Sequence, residues 1–271
     1  MHPRLAVSAI CSWNLGFDED LALWAELGVG HVGLYLEKLE TAPDGLAGAA
    51  ARVRDAGLTV STLACRGFDL AERDTWPERR ESLAAAVEAA ATVDAHCLFV
   101  TAGAPGSLSW DDCVRALGEA LEPLRAPAAE RGVRLAVEHT NPLRRDIGFV
   151  HSLRDMVEIA RHLDVGVVVE VTNCWYERDL AATIAGGADT FEVVQVSDYV
   201  VGTVTATERA VPGDGDIPLE RFIAAVCDAG FTGPFELEML GPRVEGEGYG
   251  PSIARAIKAL DPMIEGVTPL G

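Results

Sequence analysis

Short apolar runs alternate along the whole chain with longer stretches whose apolar residues recur at helical spacing. The runs fall at residues 5–10, 31–36, 58–63, 96–101, 134–138, 165–170, 191–196 and 234–238, and they read as buried strands. Residues 18–27, 44–56, 77–93, 110–131, 152–163, 177–185, 217–229 and 250–260 lie between and after them and read as helices. Gly57, Gly132 and the pair Gly186-Gly187 stop three of these helices. Pro123 and Pro127 are expected to break or kink the one at 110–131, because proline has no amide hydrogen to give to the preceding turn. Eight strand–helix units at a spacing of roughly 30 residues predict a closed, parallel (β/α)8 barrel, the TIM barrel, where a doubly wound sheet would normally have fewer strands. No low-complexity linker divides the chain, so residues 1–271 are read as one domain.

The last four strands end on polar residues: Glu138, Glu170, Gln195 and Glu238. Each has the inward parity of its strand, alternating against Leu135 and Val137, Val167 and Val169, Val194 and Val196, and Phe235 and Leu237. These four side chains should therefore converge at the mouth of the barrel, with Glu236 one layer deeper as a structural group. Two carboxylates ~4 Å apart repel by about 4 kcal/mol at an effective dielectric of 20. Three of them together call for raised pKa values, a buried ion pair with an arginine such as Arg134 or Arg209, or a divalent cation. Three carboxylates and one amide oxygen form a hard donor set suited to Mn²⁺ or Mg²⁺, and the lack of histidine disfavours zinc.

The two longest loops, 102–109 and 197–216, follow strands four and seven and are expected over the same mouth. Trp13, Asn14, Tyr35, Glu37, Arg66, Trp175 and Tyr176 also follow strands, and the aromatic rings there either stack on a substrate or pack the loops. His139, Asn141 and Asn173 are further candidates for substrate contact, against loop hydrogen bonds. Arg209 is a candidate for the substrate's cationic partner, against a solvated surface charge, with Asp198 placed to hold it or another group behind the site. The segment Gly213-Asp214-Gly215-Asp216 lacks calcium-loop spacing and reads as a turn.

Forty-two acidic against 22 basic residues give a formal charge of -20, which argues against nucleic acid and anionic membranes as partners. Six scattered cysteines without CxxC spacing read as reduced, packed thiols. Together with the lack of a signal-like start or a membrane-length apolar run, they lead to the expectation of a cytoplasmic protein. The aromatic loops are compatible with a homodimer.

The eight-unit order, the acids at strands five, six and eight, and the segment Arg209-Ala210-Val211-Pro212-Gly213-Asp214-Gly215-Asp216-Ile217 resemble the xylose isomerase-like sugar isomerase/epimerase superfamily over essentially the whole chain. The resemblance implies one divalent cation on Glu138, Glu170, Gln195 and Glu238, with Glu138 and Glu238 also moving a proton. It implies a small polyhydroxy carbonyl substrate contacted by Arg209, His139, Asn173, Trp13 and Trp175. The sequence departs from the usual pattern at Glu170 (usually Asp), Gln195 (usually His) and Asn173 (often His). Gln195 is similar to 3-dehydroshikimate dehydratase-like members, which brings in a metal-dependent lyase as the alternative activity. A barrel that binds a small ligand without turnover is the non-catalytic alternative.

Overall fold

The apolar runs become eight parallel strands in a computed structural model that describes residues 1–267. They are β1 (Leu5–Ser8), β2 (His31–Tyr35), β3 (Thr59–Cys65), β4 (Cys97–Thr101), β5 (Arg134–Glu138), β6 (Gly166–Glu170), β7 (Phe191–Val196) and β8 (Phe235–Leu237). Each pairs with its sequence neighbours and β8 pairs with β1, so the chain forms the (β/α)8 barrel its pattern predicts. Residues 268–271 of the expected domain lie outside the described residues.

The helices are α1 (Phe17–Leu27), α2 (Leu36–Glu40), α3 (Gly45–Asp55), α4 (Trp76–Thr92), α5 (Trp110–Glu130), α6 (Leu153–Leu163), α7 (Leu180–Gly187), α8 (Leu219–Asp228), α9 (Pro242–Glu247) and α10 (Tyr249–Glu265). The short α2 follows β2 directly and four residues separate the short α9 from β8; both lack a long apolar period. No described helix is long and apolar enough to cross a membrane.

Strand alternation divides the core. Ala64, Cys97, Phe99, Ala136, Val168 and Val193 fill the barrel interior, while Val137, Val167, Val169, Val194 and Val196 belong to the larger cluster between strands and helices. The inward series of β5, β6 and β7 continues upward into Glu138, Glu170 and Gln195, so the same parity that packs the interior delivers the polar groups to the mouth.

The prolines do not break their helix. α5 runs from Trp110 to Glu130 through both Pro123 and Pro127 as a single helix. Proline at 123 leaves the carbonyl of Glu119 without its usual helical donor. Arg80, on α4, supplies the replacement: its Nη2 donates to that carbonyl at 2.7 Å and its Nε to the Ala120 carbonyl at 3.2 Å. A neighbouring helix has taken over the missing hydrogen bond.

Candidate active site

Glu138, the last residue of β5, and Glu238, the residue after β8, both border a cavity of about 550 Å³ at the C-terminal mouth. Glu170 and Gln195 lie beneath it, fully buried. The Gln195 amide Nε2 donates to Glu238 Oε2 and, at 3.2 Å, to Glu236 Oε1. Glu236 also accepts from Ser61 Oγ at 2.5 Å and Thr62 Oγ1 at 2.8 Å. Its carboxylate presses on the backbone of β2, where a Cβ on Gly33 would stand 2.5 Å from the carboxyl carbon. With the amide nitrogen committed to two carboxylates, Gln195 Oε1 must face elsewhere, and it is buried without a hydrogen-bond partner.

Glu170 is held differently. Its Oε2 accepts from Arg209 Nη2 at 3.1 Å and from Thr172 Oγ1, and its Oε1 accepts from the Thr172 amide at 3.2 Å. Arg209 reaches it because the β7–α8 loop folds back over the mouth. Ala210 bridges to Asp198, and the Arg209 amide donates to the Leu240 carbonyl at 2.9 Å.

Burial pushes the Glu138 carboxyl above its ordinary range, and the charge of Glu170 pushes it further, against the pull of Arg209. Glu238 is raised by burial and then by Glu138, Glu170 and Glu236. Burial also raises Glu236, although its three side-chain hydrogen bonds oppose the shift. Two acids facing a cavity and inclined to keep a proton are suited to general acid–base work.

The other sequence candidates separate into two groups. Asn173 and Arg209 border the cavity, as does Trp13, which is 44% exposed and packs against Tyr35 with ring centroids 5.4 Å apart. His139 does not border it. Its Nε2 accepts from the Glu170 amide at 3.3 Å, its carbonyl accepts from Asn173 Nδ2 at 3.1 Å, and burial pushes the ring down to about 3, so it is neutral. Continued strand parity past Glu138 turns it away from the barrel axis. Trp175 is likewise off the cavity and packs edge-on to Tyr176. Asp198 does not hold Arg209. Its carboxylate instead accepts from the amides of Tyr199, Gly213, Gly215 and Ile217, which fixes the Gly213-Asp214-Gly215-Asp216 turn. Arg134 is at the opposite end of β5, paired with Glu192 at 2.7 Å, and so offers no charge to the mouth.

Three groups went unread in the sequence. Ser61 and Thr62 support Glu236, and two adjacent hydroxyls in the middle of a buried strand are the signal for them. Arg144 borders the cavity from the β5–α6 loop, beyond the reach of strand parity. Lys38, almost buried on α2, donates to Asp20 Oδ2 at 2.8 Å and to the Ala9 and Ser12 carbonyls, tying down the loop that carries Trp13.

The donor chemistry fits a hard divalent cation. The unpartnered Gln195 oxygen and the mutually repelling Glu138 and Glu238 are what such an ion would satisfy. Glu170 departs from the set because Arg209 neutralises it. Among the described residues, no three His, Cys, Asp or Glu side chains gather as a site for an ion. Glu170 would join the other three on exchanging its guanidinium for the cation.

The sequence matches the family described as xylose isomerase-like TIM barrel over residues 21–262. No curated protein matches it significantly. Among solved structures, protein SMc04130 from Sinorhizobium meliloti 1021 is 25% identical, with 96% of this chain and 98% of that one covered at a TM-score of 0.83. The IOLI protein, solved with a bound zinc atom, is 16% identical, covering 98% and 100% at a TM-score of 0.82. The D-psicose 3-epimerase of Clostridium cellulolyticum H10, solved with D-tagatose, is 16% identical, covering 97% and 99% at a TM-score of 0.76. A continuous match across most of the barrel, on a chain whose polar strand ends meet at its mouth, places this protein in the xylose isomerase-like TIM barrel family.

Proposed function

We propose that the chain is an isomerase or epimerase of a small polyhydroxy carbonyl compound, with Glu138 and Glu238 moving the proton. The observation that carries this reading is the pair itself: the half-buried Glu138 and the buried Glu238, both raised, bordering one cavity. Similarity to a solved epimerase supports it. A divalent cation, Mn²⁺ or Mg²⁺ by donor hardness, would be held by Glu138, Gln195, Glu238 and a released Glu170, and would polarise an adjacent hydroxyl and carbonyl so that the proton between them becomes acidic. Gln195 fixes the Glu238 carboxylate while that group takes the proton from carbon. Glu138, across the cavity, returns a proton to the opposite face for epimerisation or to the neighbouring carbon for isomerisation. Arg209 supplies donors to substrate oxygens, and the unpartnered Asn173 Oδ1 accepts from a substrate hydroxyl.

A second reading is supported by Gln195 and Asn173. With the same proton removed and a β-hydroxyl lost in place of reprotonation, the site would dehydrate a cyclic polyol ketone. Titration of Mn²⁺ into metal-stripped protein, beside Glu238→Gln, comes first. Saturable binding abolished by the substitution is the expected result, and binding that survives it unchanged would remove Glu238 from the site. Solvent deuterium in recovered product without loss of water then indicates isomerisation, and a rising enone absorbance indicates dehydration.

A further inference from the structure

The wall of the cavity beside Glu138 carries cations with no place in the proton transfer. Arg66 follows β3, Arg144 lies on the loop after β5, and both border the cavity together with Tyr35 at the end of β2. Arg144 is committed to Asp146 through two parallel bonds, Nε to Oδ1 at 2.9 Å and Nη2 to Oδ2 at 3.0 Å. Arg66 stands close enough to the same carboxylate to lower its pKa further, and it also acts on the Tyr35 hydroxyl. The two guanidinium groups therefore share one wall of the cavity, and Arg144 is the one that holds the Asp146 carboxylate.

Arg66 itself makes no hydrogen bond or ion pair with any described residue, whereas Arg209 and Arg144 each have a carboxylate. Its backbone position is nevertheless fixed. The Gly67 amide donates to Thr101 Oγ1 at 3.0 Å, and a Cβ on Gly67 would collide with the Thr101 backbone, so the chain lies flush on the end of β4 only because residue 67 is glycine. An exposed arginine on an anchored backbone, with five unused donors at the mouth of a cavity, has the fork geometry that matches a carboxylate or phosphate. The setting makes this informative. A protein of charge -20 repels anions at long range, so local arginines are the means by which it would hold one. The acids that face this wall are Glu37, which accepts from Tyr35, then Glu138 and Asp146.

We propose that Arg66, with Arg144 beside it, binds an anionic group of the substrate, which makes the substrate a hydroxy-carbonyl compound bearing a carboxylate or a phosphate at the end away from the reacting carbon. The proposal rests on the isomerase or epimerase reading only for where the reacting carbon lies.

The test is calorimetric binding of three six-carbon probes, D-fructose, D-fructose 6-phosphate and 5-keto-D-gluconate, to Mn²⁺-loaded parent and Arg66→Met. At least one anionic probe is expected to bind about tenfold or more tighter than fructose, and Arg66→Met to remove most of that preference while leaving fructose within about twofold. Whichever anion binds tighter identifies carboxylate or phosphate as the partner. Equal affinity for all three probes, no detectable binding of either anion, or an equal loss for all three in Arg66→Met would each overturn the proposal. Solvent deuterium exchange is measured separately on each probe. Anion preference without exchange would retain this wall and remove the isomerase reading, and exchange on fructose without anion preference would do the reverse.

Discussion

Replacing Gly33 with alanine tests the support beneath Gln195. The added Cβ would stand 2.5 Å from the Glu236 carboxyl carbon, at least an ångström inside ordinary contact, so the carboxylate or the β2 backbone must move. Overpacking a core position costs about 1–3 kcal/mol. Disturbing the bonds that Glu236 accepts from Ser61, Thr62 and Gln195 adds about 1.5–3 kcal/mol, since the acceptor is a buried carboxylate. The sum, roughly 2.5–6 kcal/mol, corresponds to a fall of about 5–12 °C in Tm for a domain of this size, at about 2 °C per kcal/mol. A double-mutant cycle with Glu236→Ala isolates the cause, because removing the carboxylate leaves the new methyl group nothing to strike. Gly33→Ala should therefore cost less than about 1 kcal/mol in the Glu236→Ala background. An equal cost in both backgrounds would mean that Gly33 does not seat Glu236, and the account of how the Gln195 oxygen is aimed would fall with it.

Arg209→Met should destabilise metal-stripped protein by about 3–5 kcal/mol, because it leaves the fully buried Glu170 carboxylate without its partner at 3.1 Å. Added Mn²⁺ should raise Tm more in this variant than in the parent, and an unaltered melt would show that the pair carries no such load. Glu138 and Glu238 are both raised above the ordinary carboxyl value of 4.5, first by burial and then by neighbouring carboxylates. An acid with a raised folded pKa stabilises fully below its unfolded value and loses that contribution as pH climbs through the folded one. The urea midpoint of metal-stripped protein should accordingly fall between about pH 5 and pH 8. Glu138→Gln should flatten the slope, and a midpoint that rises over this range would contradict the assignment. Five of the six cysteines are buried and Cys227 is half-buried, so a thiol reagent should titrate one group in the folded protein and six after denaturation. Rapid modification of Cys65, Cys97 or Cys174, whose thiols burial holds well above their usual range, would contradict this packing.

Alternation along each strand made half of the site readable. A period of two assigns every residue of a strand to the interior or to the helices, and a polar residue at the inward end of an apolar strand has only the mouth to occupy. Glu138, Glu170, Gln195 and Glu238 were legible on that ground, and so was Glu236 one layer below. The roles of His139 and Trp175 were not, since parity alone does not say which donor or ring a residue past the end of a strand will meet. The loop turns each of them into packing against its neighbours, His139 on the Glu170 amide and Trp175 on Tyr176.

What the sequence determined by itself was local and periodic: eight buried strands, the helices between them, the closed parallel barrel that this order requires, and the identity of the acids at the strand ends. Tertiary structure decided which of those acids are paired. Arg209 lies 39 residues from Glu170 in sequence and meets it only because the β7–α8 loop folds back over the mouth. Ser61 and Thr62 reach Glu236 across the barrel interior, from strands more than 170 residues apart in sequence. Arg80 likewise completes α5 from another helix. Each of these partners is chosen by the closure of the sheet and the packing of helices around it. Those events bring together groups that no sequence spacing relates, and they set the charge state of a buried carboxylate through whichever donor arrives.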